Sequence, residues 1–148
     1  MEDNHLNYQK VKRNYLKFLN SQEVISEPFR DKLGQLERFY LPVSKLIKDE
    51  YIKKKVTQVI GLTGGQGTGK STISNILKII LKDAFNLKTV IFSIDDFYKT
   101  YQERKKMSQK IDKLFITRGV PGTHDTKMLL QCIKNLKNKN FKNMNIPK

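Results

Sequence analysis

The sequence predicts an α/β fold, a parallel sheet with flanking helices preceded by an N-terminal helical layer, and three observations carry that expectation. A β-branched run, Val56 to Leu62, delivers the chain into a glycine-rich loop. Behind the loop, Ile73, Ile76, Leu77, Ile80, Leu81 and Ala84 recur at the spacing of one helical face, an amphipathic stripe ending near Asn86. A second apolar run follows from Thr89 to Ile94. Strand, loop, helix and strand make a βαβ unit, whose sheet is parallel and whose ligand sits at the carboxyl ends of its strands.

Residues 1–55 form the expected helical layer. Val11, Tyr15, Phe18 and Leu19 share one helical face, and so do Phe29, Leu33, Leu36 and Tyr40 after Ser26 as N-cap and Pro28 in the first turn. A third helix is expected to begin near Pro42 and to carry Val43, Leu46, Ile47 and Tyr51. None of these sets has catalytic spacing, so the layer reads as packing. Residues 56–148 are the expected core, and only a part of one: two strands are an unusually small sheet for a fold of this kind.

The loop itself carries the chemistry. Gly64, four residues, then Gly69, Lys70 and Ser71 satisfy the phosphate-binding loop pattern in its proper setting, between a strand and a helix. Gly64, Gly65, Gly67 and Gly69 remove side chains so that the amides of Gly64, Gly65, Gln66, Gly67, Thr68, Gly69, Lys70, Ser71 and Thr72 can converge on phosphate oxygens. Lys70 would reach the β- and γ-phosphates, Ser71 would place its hydroxyl on Mg²⁺, and the helix that starts there aims its positive end at the triphosphate. ATP and Mg²⁺ are the cofactors this implies, in a P-loop NTPase-type sheet.

The second strand runs into Asp95 and Asp96. Two adjacent carboxylates repel if both are buried, so they are expected to point differently. One facing the phosphates can take a proton from an attacking hydroxyl or hold Mg²⁺; the other reading is that they cap the following helix.

Composition bounds the partners. The chain has 148 residues, 38% of them apolar, and a formal net charge of +15. Such charge usually raises nucleic acid or an anionic membrane as a partner. Here lysine outnumbers arginine, asparagine is abundant and the lysines are spread along the chain, so nucleic acid is not the expected partner. One cysteine, Cys132, excludes an intrachain disulfide and reads as packing beside Met128, Leu129, Ile133 and Leu136. No apolar run is long enough to span a bilayer, and the N-terminus has neither signal-peptide nor transit-peptide character, so a cytoplasmic protein is expected. The polar stretch Lys99 to Lys113 reads either as a solvated helix or loop or as a flap. Oligomeric state leaves no trace in the sequence.

The phosphate loop, together with Ser93-Ile94-Asp95-Asp96-Phe97-Tyr98 and Arg118-Gly119-Val120-Pro121-Gly122-Thr123-His124-Asp125, resembles the D-glycerate 3-kinase branch of the uridine kinase and pantothenate kinase group of P-loop kinases. Phe39-Tyr40-Leu41-Pro42 resembles that branch as well. The resemblance implies transfer of the γ-phosphoryl of ATP to a hydroxyl of a small, carboxylate-bearing acceptor, with D-glycerate foremost. It implies Asp95 as the base, lying near Mg²⁺, and Tyr98, Arg118 and His124 as residues bordering the acceptor; Pro121 and Gly122 as a turn and Thr123 or Asp125 as the cap of a helix from about residue 125 to 137 are the plainer alternative. It also implies further strands beyond Ile146-Pro147-Lys148, so that the chain is expected to be the front part of a longer kinase. A kinase for a nucleoside, pantothenate or another small alcohol is the alternative within the group, and a non-catalytic ATP- or RNA-binding module the alternative outside it.

Overall fold

A computed structural model describes residues 2–138, with backbone alone for residues 2–6. Two compact units make up the chain, Met1–Ile91 and Phe92–Lys148.

The first unit contains α1 (Glu2–Gln22), α2 (Lys32–Gln35), a π-helical turn Leu36–Tyr40, α3 (Leu41–Lys54) and α4 (Lys70–Phe85). Helix α1 lays the predicted stripe against α4: Val11, Tyr15, Leu19, Leu36, Ile76 and Ile80 form one buried cluster, with Phe18, Leu33, Tyr40 and Ala84 packed around it. Each such aliphatic side chain contributes about 1.5–3 kcal/mol relative to an exposed one. Polar groups inside this interface are paired. The Tyr15 hydroxyl donates to the Lys32 carbonyl at 2.8 Å, and Asp83, buried on α4, accepts from the Asn14 amide at 2.7 Å and faces the Lys10 ammonium at 3.5 Å.

One expected boundary moves. Ser26 does not open the second helix: Glu23 takes the Phe29 N–H at 2.8 Å and the Lys32 ammonium at 2.7 Å, which holds the intervening residues as a loop, and Asp31 becomes the cap by accepting from Gly34 N–H. A third helix does begin near Pro42, as expected: α3 opens at Leu41 with the proline in its first turn. Pro42 has no N–H and its ring crowds the carbonyl four residues back, yet the chain continues through it because the preceding turn widens, with Leu41 N–H reaching back to the Leu36 carbonyl. Helix α3 ends at Lys55 and α4 at Asn86, both left-handed, at φ 52° and 53°.

The expected parallel sheet is the main departure. Among the described residues there is no strand ladder, and neither Val56–Leu62 nor Thr89–Ile94 pairs as one. Both runs are predominantly irregular, and Val59 and Ile60 are 53% and 58% exposed. β-branched residues favour extended backbone, but a strand is stable only in a ladder of several strands with a covered face, and these runs find neither. At its end the second run turns instead into a 3₁₀ turn, Ile94–Phe97.

In the second unit that turn is followed by α5 (Tyr101–Lys110), a 3₁₀ turn Lys113–Ile116 and α6 (Thr126–Lys137). Phe97 is buried edge-on to Phe92, with ring centroids 5.5 Å apart. Most of the polar stretch from Lys99 to Lys113 is helix, capped by Thr100 and Glu103. It is not wholly solvated: Arg104 is buried and donates to the carbonyls of Lys99 and Ile116, tying α5 to the next turn. Helix α6 has its expected cap, Asp125, accepting from Met128 N–H at 2.9 Å, and buries Cys132. Among the described residues no helix is long and apolar enough to cross a membrane.

Candidate functional site

The phosphate-loop residues lie in the first unit. Gly67 and Gly69 take φ of +77° and +76°, a conformation that costs an L-residue about 1–2 kcal/mol, so these two positions require glycine. Gly64 and Gly65 do not share it; of the four glycines expected to use that freedom, two do. Gly64 is needed for space, because a Cβ there would meet the Thr68 hydroxyl oxygen at 2.9 Å. Thr68 in turn donates to the Gly65 carbonyl at 2.8 Å, closing the loop on itself.

Lys70, the first residue of α4, folds back over this loop. Its ammonium donates to the Gly64 carbonyl at 2.8 Å and to the Gly65 carbonyl at 2.5 Å. Gln66 and Ser71 are exposed, and Thr72 is half-buried in the first turn of the helix. The Ser71 carbonyl accepts from the Ser74 hydroxyl and the Asn75 amide, bonds within the helix itself. A positive charge on the mouth of an exposed, glycine-lined loop at a helix N-terminus is an arrangement that receives anions.

The remaining predicted residues lie in the second unit, and the fold gathers them. Ser93 and Asp96 form a capping box, with Ser93 N–H donating to the Asp96 carboxylate at 2.8 Å, so Asp96 serves the turn. Asp95 points elsewhere. Its side chain is 68% exposed, and its Oδ1 accepts from the Tyr98 hydroxyl at 3.0 Å. Tyr98 pairs as an isolated bridge with His124, backed by Lys99 N–H on the Thr123 carbonyl at 2.9 Å and Asp125 N–H on the Phe97 carbonyl at 2.6 Å. The Tyr98 and His124 rings stack with centroids 4.2 Å apart, and the Arg118 guanidinium lies 5.4 Å from the Tyr98 centroid. His124 Nε2 is buried without a hydrogen bond, 3.5 Å from Asp95 Oδ1. Partial burial, then the bond to Asp95, push the Tyr98 phenol above its usual pKa, against the opposing influence of the Gly119 amide and Arg118.

Sequence reading named these residues without their contacts. The pairing of Tyr98 with His124 spans 26 positions and has no periodic signature, and the buried roles of Asp83 and Arg104 carry no motif at all.

Comparison with known proteins adds the family. Residues 59–147 match the phosphoribulokinase/uridine kinase family. The chain is 35% identical to the probable ATP-dependent kinase TDA10 of Saccharomyces cerevisiae over 62% of its own length and 35% of that protein's. It is 38% identical to the uncharacterized kinase mug58 of Schizosaccharomyces pombe over 48% of its length and 26% of that protein's. To a pantothenate kinase of Ligilactobacillus salivarius it is 23% identical over 92% of its length and 52% of that protein's. The chain thus spans from about a quarter to about half of the length of these relatives. No solved structure gives a significant match. Because the family match takes in most of the loop's approach, the loop, α4, the acidic turn and α6, well over half of the chain, this protein belongs to the phosphoribulokinase/uridine kinase family.

Proposed function

We propose that this protein carries the nucleotide-binding and acceptor-activating part of a cytoplasmic ATP-dependent kinase, which transfers the γ-phosphoryl of ATP to a hydroxyl of a small carboxylate acceptor, D-glycerate first among candidates. The observation that carries the reading is the loop from Gly64 to Thr72, with left-handed glycines and the Lys70 ammonium over its mouth. Membership of the family, and relatives named as an ATP-dependent kinase and a pantothenate kinase, support phosphoryl transfer to a small molecule. The Arg118-to-Asp125 segment, with a guanidinium and an imidazole beside Tyr98, supports a carboxylate acceptor over a nucleoside. In this reading Val56–Leu62 and Thr89–Ile94 contribute strands to a parallel α/β sheet.

The loop amides and Lys70 would hold the phosphates and offset the charge that develops on them, while Asp95 would accept the acceptor's proton. Among the described residues no three His, Cys, Asp or Glu side chains gather into a metal cage. Mg²⁺ keeps several waters and arrives on substrate phosphates with one or two protein oxygens. The Ser71 hydroxyl and the Asp95 carboxylate, each exposed within its own unit, are the oxygens this reading assigns to it. When bound with ATP, Mg²⁺ supplies charge neutralisation at the phosphates.

The test is ADP release by purified protein with ATP and a panel of D-glycerate, pantothenate and uridine. Turnover is expected with D-glycerate above the others, and Asp95→Asn is expected to slow it by about 10²–10⁴-fold, the usual worth of a positioned base. An equally fast Asp95→Asn enzyme removes Asp95 from that role; preference for pantothenate or uridine removes glycerate. The net charge of +15 favours one second reading, an RNA-binding module. Salt-sensitive RNA binding without acceptor-dependent ADP release would decide for it.

A further inference from the structure

An exposed carboxylate on a short turn has several side-chain rotamers open to it, and a base must present one oxygen in one place. Asp95 is 68% exposed, and Asp96, its neighbour, is committed to the cap. What restrains Asp95 comes from Tyr98 and, behind it, from a segment 26 residues on. The Tyr98 hydroxyl donates to Oδ1 at 3.0 Å. Tyr98 in turn is fixed on its backbone by the bridge to His124 and by the flanking bonds Lys99 N–H to Thr123 O and Asp125 N–H to Phe97 O. Its ring is fixed by the stack on His124, whose side chain is only 20% exposed. His124 Nε2 approaches the same Oδ1 at 3.5 Å without bonding to it, so the imidazole acts on Asp95 by excluding alternative placements and by holding the tyrosine.

We infer that Tyr98 and His124 are positioning residues for Asp95: together they restrain Oδ1 and leave Oδ2 as the oxygen that takes the acceptor's proton. This rests on the kinase reading above. In the step it serves, the acceptor O–H proton passes to Oδ2, the acceptor oxygen forms a bond to the γ-phosphorus, and the bond from that phosphorus to the β,γ-bridging oxygen breaks, its electron pair leaving with ADP. Arg118, which lies over the Tyr98 ring, then remains as the residue free to meet the acceptor's carboxylate.

The inference is tested on the full chain with three variants and two readouts. Tyr98→Phe keeps the ring and removes the hydroxyl; it is expected to lower kcat by about 10-fold or more, within the range that a misplacement of about 1 Å produces, while the acceptor KM stays within about twofold. His124→Ala should lower kcat similarly, and His124→Phe, which restores a stacking ring, should recover most of it. A raised KM with kcat unchanged would make these residues direct acceptor ligands and overturn the inference. The second readout needs no turnover: NMR couplings report whether Asp95 χ1 occupies one rotamer. One rotamer in the unmodified chain and averaging in Tyr98→Phe support positioning; averaging in the unmodified chain overturns it. A chain that neither binds ATP nor turns it over with any acceptor, yet has a single Asp95 rotamer, refutes the kinase reading and leaves the restraint standing.

Discussion

Replacing single glycines of the phosphate loop by alanine separates backbone strain from crowding. At Gly67 a Cβ would meet nothing within 4 Å, so the whole effect comes from φ +77°. Alanine there costs about 1–2 kcal/mol in the left-handed region. In the free protein the exposed loop can relax away from that conformation, and binding must then restore it, so the cost falls on affinity: ATP binding should weaken by about 5–30-fold. At Gly65 φ is not left-handed and the nearest contact, Thr68 Cγ2 at 3.6 Å, is ordinary, so Gly65→Ala should bind within about twofold of the unmodified chain. Gly64→Ala lies between, because its Cβ would displace the Thr68 hydroxyl and break a hydrogen bond worth about 0.5–1.5 kcal/mol net. Calorimetric titration of ATP into the three variants, each checked for an unchanged melting curve, measures the order. If Gly67→Ala bound as tightly as the unmodified chain while Gly65→Ala did not, the loop conformation described here would not be the one that receives the nucleotide.

Other consequences concern stability. Ile80 is fully buried between α1 and α4, so Ile80→Ala should destabilise the first unit by about 2–5 kcal/mol, seen as a lower urea midpoint at an unchanged slope. Asp125→Ala removes the cap of α6 and should cost about 0.5–2 kcal/mol; near-equal urea midpoints would show that the cap is supplied otherwise. Burial, its largest cause, pushes the Tyr15 phenol up to about 12 from the usual 10.0. Since the folded state holds that proton more tightly than the unfolded one, Tyr15 contributes fully below pH 10 and its contribution is lost as pH rises toward about 12, by at most about 1.4 kcal/mol per pH unit. Tyr15→Phe should flatten that alkaline loss, which urea titrations at pH 9, 10 and 11 would report.

Helical faces were legible because a helix reports its burial every three to four residues within one stretch of chain. Val11, Tyr15 and Leu19, then Ile76 and Ile80, were identifiable from spacing and do form the core. The loop was legible because glycine, lysine and serine at fixed spacing leave few other uses for such residues. That Asp95 and Asp96 point differently followed from the repulsion of adjacent charges, and the structure decides which does what: Asp96 caps the turn and Asp95 accepts from Tyr98.

Distant partners decided the rest. Glu23, by bonding Phe29 and Lys32, set where the second helix starts. The β-branched runs fixed a preference for extended backbone but not a ladder, since hydrogen bonds between strands belong to the pair and not to either sequence. Tyr98 meeting His124, and both meeting Asp95, likewise depends on a segment 26 positions away being brought back to the acidic turn. Local chemistry, read residue by residue, named the groups able to act; only the folded chain determined which of their atoms remain available, because each contact made across the fold removes a donor, an acceptor or a rotamer that the sequence leaves open.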